Sequence, residues 1–290
     1  MLNPGPGRFL ALAALFLALG GCADPPADPE PSAPETDSRL LLYDLEEGHI
    51  RLTGYTGTDQ ELILPDAIAG NPVRLIGKAA FRNRELRGLR LPQGITHIQA
   101  EAFSGNLLTA LIVPPGVEEI HQGAFARNAL SVLALPESLT LIGDQAFWAN
   151  RLEELVIPGG VTSIGDGAFM SNRLSSLRIA GNIPVIGVNT FMDNRLTAVT
   201  IPASVQTLGG AAFSHNSLTS IALPANIAYV DIEVFKHNPL TRVWIPRDGL
   251  DLFTDSQVFG LYDTAFFQTY AKLAGWYYYQ EDSQTWTKEP

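Results

Sequence analysis

The chain has one cysteine in 290 residues, Cys22, so no disulfide can form within it and its fold must rest on packing and hydrogen bonds. Basic residues are few: 19 Lys and Arg against 30 Asp and Glu give a net charge of −11. No cluster of Lys or Arg breaks that balance, which disfavours nucleic acid and anionic lipid headgroups as partners. Long apolar runs are missing too. The stretch from Phe9 to Leu19 is too short to span a bilayer, for which about 20 residues are needed, and no second candidate follows it. The sequence holds no HExxH, no GxSxG, no Walker loop and no EF-hand loop, so nothing in it points to catalysis, and no cofactor is expected.

What is present begins with a secretion signal over residues 1–21: Arg8, the apolar stretch, then the small residues Gly20 and Gly21. Leu19-Gly20-Gly21-Cys22 resembles the bacterial lipobox, in which the cysteine thiol is lipidated and becomes the new N-terminus. That resemblance implies lipidation at Cys22, a lipid as the only membrane anchor, and residence in the bacterial cell envelope. Ala23, where an aspartate would retain such proteins in some inner membranes, favours the outer membrane or cell surface. The alternative is an ordinary signal peptide with an incidental cysteine. Residues 22–38 then read as a stalk. After Cys22 they hold five prolines, five acidic side chains and no aromatic, too little apolar surface to offset chain entropy.

Self-similarity is the strongest signal in the chain. Phenylalanine recurs every 22 residues, at 81, 103, 125, 147, 169, 191, 213 and 235. Leucine follows each ring five residues later, from Leu86 to Leu240, and two further aliphatic slots and a proline complete an LxxLxIP segment, with Ala180 replacing the proline once. Seven copies carry Asn three residues after the Phe, from Asn106 to Asn238. The LxxLxIP segment alternates as a half-buried strand does, and the proline ends it where no ladder bond is needed. Glycine at 143, 165, 187 and 209 suits a turn needing positive φ. One such unit cannot bury its faces alone, so stacked copies are expected to form a mainly β repeat solenoid of parallel strands with a continuous core.

The run LxxLxIPxxVxxIGxxAFxxN, as from Leu152 to Asn172, resembles the BspA-like leucine-rich repeat of bacterial surface antigens. On that basis residues 39–61 are expected to be an N-terminal hairpin cap, 62–250 the solenoid, and 251–290 an aromatic C-terminal cap around Tyr270, Trp276, Tyr277 and Trp286. Caps are required because a bare solenoid end is an open core and an unpaired sheet edge. The resemblance implies recognition of another macromolecule, with adhesion to host or neighbouring-cell proteins as its specific form. The alternative is a structural or scaffolding component of the periplasm or envelope.

The Asn column is read as structural, bonding backbone groups of the neighbouring turn. His215 and His237 share a slot on adjacent rungs but lack a third ligand, so no metal site is expected. Outward strand positions such as Ala110, Ile112, Val132, Ala134, Val156 and Trp244 are apolar for a solvated face. Beside the Phe column, Trp148, Met170 and Met192 occupy one slot on consecutive rungs, and Arg151, Arg173 and Arg195 a second. These types are over-represented at interfaces, which makes the six residues the candidate partner-binding stripe. In the competing reading, Trp148 and the Met pair pack over the loops while the arginines only solubilise.

Overall fold

Each 22-residue unit makes one turn, and the computed structural model stacks about nine of them. It describes residues 35–246, 275–280 and 285–288, so Cys22, most of the stalk and Tyr270 lie outside the described residues. Two columns of short parallel strands follow the stack, each broken into several separate sheets. One carries the LxxLxIP strands, from Glu61–Ile63 and Gly88–Arg90 through Glu154–Ile157 and Ser176–Ile179 to Arg242–Ile245. The other is built from short pieces such as His97–Ile98, Glu119–Ile120 and Leu141–Ile142, paired in register. At the third corner the Phe turns bond rung to rung: Phe103 N–H donates to Ala124 O at 2.8 Å and Phe147 N–H to Ala168 O at 2.9 Å.

Side chains at fixed phase fill the space between. The eight phenylalanines are fully buried, and successive rings stack 5.1–5.8 Å apart from Phe81 to Phe235. Leu86 through Leu240 and the strand aliphatics close the same core. Apolar burial of this kind is the main source of stability, roughly 2–3 kcal/mol for each fully buried ring.

The N-terminal end is closed by the antiparallel pair Leu41–Glu46 and His49–Tyr55, the second strand continuing in parallel onto Asn71–Ile76. Glu47 and Gly48, both at positive φ, make the two-residue turn that suits strand twist. Ala69 and Gly70 repeat the device in the first unit, where Ala67–Ile68 pairs antiparallel with the start of Asn71–Ile76. Tyr55 stands where a ninth phenylalanine would, its ring 6.4 Å from Phe81, while its hydroxyl donates to Asp59 at 2.8 Å. Burial, then that acidic partner, pushes the Tyr55 phenol above its ordinary pKa. Ahead of the pair, Thr36 N–H donates to Ile63 O, covering the first edge of the other ladder. At the far end, Gly275–Gln280 pairs antiparallel to Arg242–Ile245, and Thr285–Lys288 pairs beyond it.

The structure corrects one reading of the repeat. None of Gly143, Gly165, Gly187 and Gly209 has a left-handed φ. Left-handed residues lie instead two positions before and two after each Phe, mostly non-glycine: Gln145 (φ 54°) and Ala149 (φ 55°) flank Phe147. Glycine is needed at 143 for space, because a Cβ there would lie 2.6 Å from Gln122 N of the preceding rung. Gly143→Ala is therefore expected to lower stability by about 1–3 kcal/mol through overpacking. Gly167→Ala, at φ 62° but with no neighbour nearer than 3.4 Å, should cost only about 1 kcal/mol. Equal losses in urea unfolding would refute this assignment.

Candidate functional site

The Asn column sets the geometry around which the candidate stripe is built. Asn172 Nδ2 donates to Phe147 O (3.0 Å) and Phe169 O (3.1 Å), and its Oδ1 accepts from Leu152 N–H (3.1 Å). The same pattern recurs at Asn150, Asn194, Asn216 and Asn238, so each buried amide ties one Phe turn to the next. Because the Asn side chain turns inward, the residues before and after it are held at the surface of one corner.

On one side of the Asn, three residues upstream of the arginines, lie Trp148, Met170 and Met192, all half-buried. Ser104, Ala126 and Ser214 occupy the same slot and are buried, so what reaches solvent is the part of the Trp and Met side chains beyond Cβ. The Arg127 guanidinium sits 4.6 Å over the Trp148 ring, a cation–π contact that holds the indole against the rungs. On the other side, Arg151, Arg173 and Arg195 are exposed. Their N–H groups donate to Leu130 O, Leu152 O and Leu174 O at 2.9 Å each, which keeps the three in register one rung apart.

Alignment on consecutive rungs, more than charge, distinguishes these arginines, since Arg90 and Arg178 are likewise without an ion pair among the described residues. Arg39, Arg51 and Arg82 are paired with carboxylates, whereas the side chains of Arg151, Arg173 and Arg195 make no ion pair or hydrogen bond among the described residues. Like charges one rung apart repel by about 1 kcal/mol in water. On a chain of net −11 they remain un-neutralised all the same.

The outward strand face is less uniform than its sequence. Val156 is 55% exposed, but Ala110, Ile112, Val132 and Ala134 are half-buried. Trp244 is covered: its ring meets Trp276 at 5.4 Å, and Arg242 lies 4.0 Å over Trp276.

Two histidine pairs stand apart from the stripe. The rings of His215 and His237 are 4.2 Å apart. His97 and His121, from different repeat slots, converge on Glu119 Oε2, at 3.8 Å and 3.0 Å from their Nε2 atoms. The second pair escapes a reading by columns, because slots two residues apart meet across rungs. The available signal was the strand register, which sets His97 opposite Glu119. No group of three or more His, Cys, Asp or Glu side chains among the described residues is arranged to hold a metal ion.

Residues 64–175 and 162–257 match the family model for the BspA type leucine-rich repeat region, with six copies. No curated protein matches the chain. Among solved structures, a leucine-rich repeat protein from Bacteroides ovatus aligns with a TM-score of 0.59 and 23% identity, over 73% of this chain and 65% of its own. The chain thus spans about 65% of the length of that relative. A leucine-rich repeat protein of T. pallidum aligns with a TM-score of 0.55 and 25% identity, over 63% of this chain and 89% of its own.

Proposed function

Since this chain belongs to the BspA-type leucine-rich repeat family, we propose that it is a non-enzymatic binding protein of the bacterial envelope, anchored by lipid on Cys22, that recognises another protein through the Trp148 corner. The observation that carries this reading is the lane of unpaired Arg151, Arg173 and Arg195 beside half-buried Trp148, Met170 and Met192. Apolar side chains there offer area to desolvate, and the arginines offer forked donors to a partner's carboxylates. Adhesion to a host or neighbouring cell is the specific form we assign, with the solenoid facing outward.

A second reading, self-association within the envelope, is favoured by the terminal strand Leu41–Glu46. It ends its sheet, and Leu42, Tyr43 and Leu45 are 51%, 41% and 60% exposed on it. An apolar sheet edge of this kind invites pairing with another chain.

One experiment tests anchor and surface together. The Cys22→Ser chain should leave the membrane fraction and lose fatty-acid labelling; retained labelling would refute the anchor. In that soluble background, truncating Arg151, Arg173 and Arg195 to Ala should weaken capture on partner cells at least tenfold while moving stability by about 0.5 kcal/mol or less per site. Undiminished capture would remove the stripe from consideration. Protease accessibility on intact cells separates an outward-facing adhesin from a periplasmic scaffold.

A further inference from the structure

We propose that His215 and His237 form a two-imidazole chelation site for a borderline divalent transition metal, Cu²⁺, Ni²⁺ or Zn²⁺. Both lie two residues after the Phe of adjacent rungs, and both are exposed. Their backbones share the left-handed conformation (φ 54° and 58°), so their Cβ atoms project alike. His215 N–H donates to Lys236 O at 2.9 Å, which fixes the rungs, and the rings sit 4.2 Å apart.

The hydrogen bonds settle which nitrogen of His215 is free. Ser214 Oγ donates to Lys236 O at 2.9 Å, which uses its only proton. The 3.0 Å contact between Ser214 Oγ and His215 Nδ1 therefore has Nδ1–H as donor. A neutral His215 so oriented carries its lone pair on Nε2. An imidazole fixed through Nδ1–H by an outer hydrogen bond is the usual state of a metal-ligating histidine. Ser214 is 2% exposed, so this support is rigid. The His237 ring makes no hydrogen bond or ion pair among the described residues. Asp193 occupies the same slot one rung earlier and adds negative charge to the column.

The alternative pair is spent. His121 Nε2 lies at hydrogen-bond distance, 3.0 Å, from Glu119, and His97 faces the same carboxylate. Paired imidazoles suit Cu²⁺, Ni²⁺ and Zn²⁺, and two ligands leave positions open to water, unlike the closed sets of structural zinc.

The test is a calorimetric titration of the untagged chain with each metal chloride, in the Cys22→Ser background to remove the thiol. One site per chain is expected. His215→Ala and His237→Ala should each weaken binding about tenfold or more, and the His97→Ala/His121→Ala double variant should leave it unchanged. Ser214→Ala should weaken it about 10–100-fold through loss of the outer hydrogen bond. That variant is expected to fold, because Ala126 fills the same slot elsewhere in the stack. Binding that survives the His215→Ala/His237→Ala double change, or follows the His97 pair, would overturn the proposal.

Discussion

Deleting residues 150–171 should leave a protein that still unfolds cooperatively, one rung shorter than the parent. The deletion joins Ala149 to Asn172, and Asn172 then takes the place of Asn150. Its amide again meets Phe125 O and Phe147 O, and its Oδ1 again receives Leu130 N–H. Phe191 stacks on Phe147 as Phe169 did, so every interface is regenerated, and only one rung's share of stability is lost. Deleting 150–160 instead moves every later Phe out of phase with the column. The core from Phe169 to Phe235 then cannot continue the stack, and thermal melts followed by circular dichroism should show no cooperative transition for that half. Two deletions with the same melting behaviour would mean that the assigned phase is wrong.

The second large effect is expected at one amide. Asn172→Ala strands Leu152 N–H in a region where Asn172 itself is 8% exposed, while the carbonyls of Phe147 and Phe169 each lose one of two amide donors and keep the other, from Asn150 and Asn194. The unpaired N–H costs about 1–3 kcal/mol, and each carbonyl that loses one of its two donors adds little, so the net loss should be about 1–3 kcal/mol. For a domain of this size the melting temperature should fall by roughly 2–12 °C. Asn172→Asp should be worse still: the carboxylate keeps the bond from Leu152 N–H but aims an oxygen at two carbonyls. Arg173→Ala, one residue on and exposed, should shift stability by about 0.5 kcal/mol or less. An Ala as stable as wild type, or an Asp better than the Ala, would show that the Asn column is not what ties the Phe turns together.

The solenoid was legible because its information is repeated. A single Phe or Leu says little, but the same slot filled on eight rungs states both the period and the buried face. The Asn column was legible for the same reason, since an amide kept at constant phase among apolar residues needs a constant backbone partner. The glycine column was misread because glycine serves both positive φ and close approach, and a sequence does not say which. Spacing between rungs decides it, as at Gly143 against Gln122 N. The left-handed turns were invisible, since Glu101, Arg127, Asp193 and His237 occupy them with side chains that carry no such signal. Contacts across different slots, such as His97 with Glu119 and His121, were equally hidden. So was the cover over Trp244, which depends on a strand more than a rung away in sequence. For the stripe, the sequence supplied the identities. The structure added that Trp148 lies under Arg127 and that the three arginines lack side-chain partners among the described residues.

The shortness of the strands has a mechanical side. Pieces of two residues, such as His97–Ile98 and Leu141–Ile142, hold each rung to the next, and the pairs are stacked in series. A pull along the rod loads them one interface at a time, like a zip rather than a shear joint. Each rung that gives way releases about 70 Å of extended chain. The protein would yield to tension in even steps, dissipating work at every one, while the rungs still stacked keep their side chains in register.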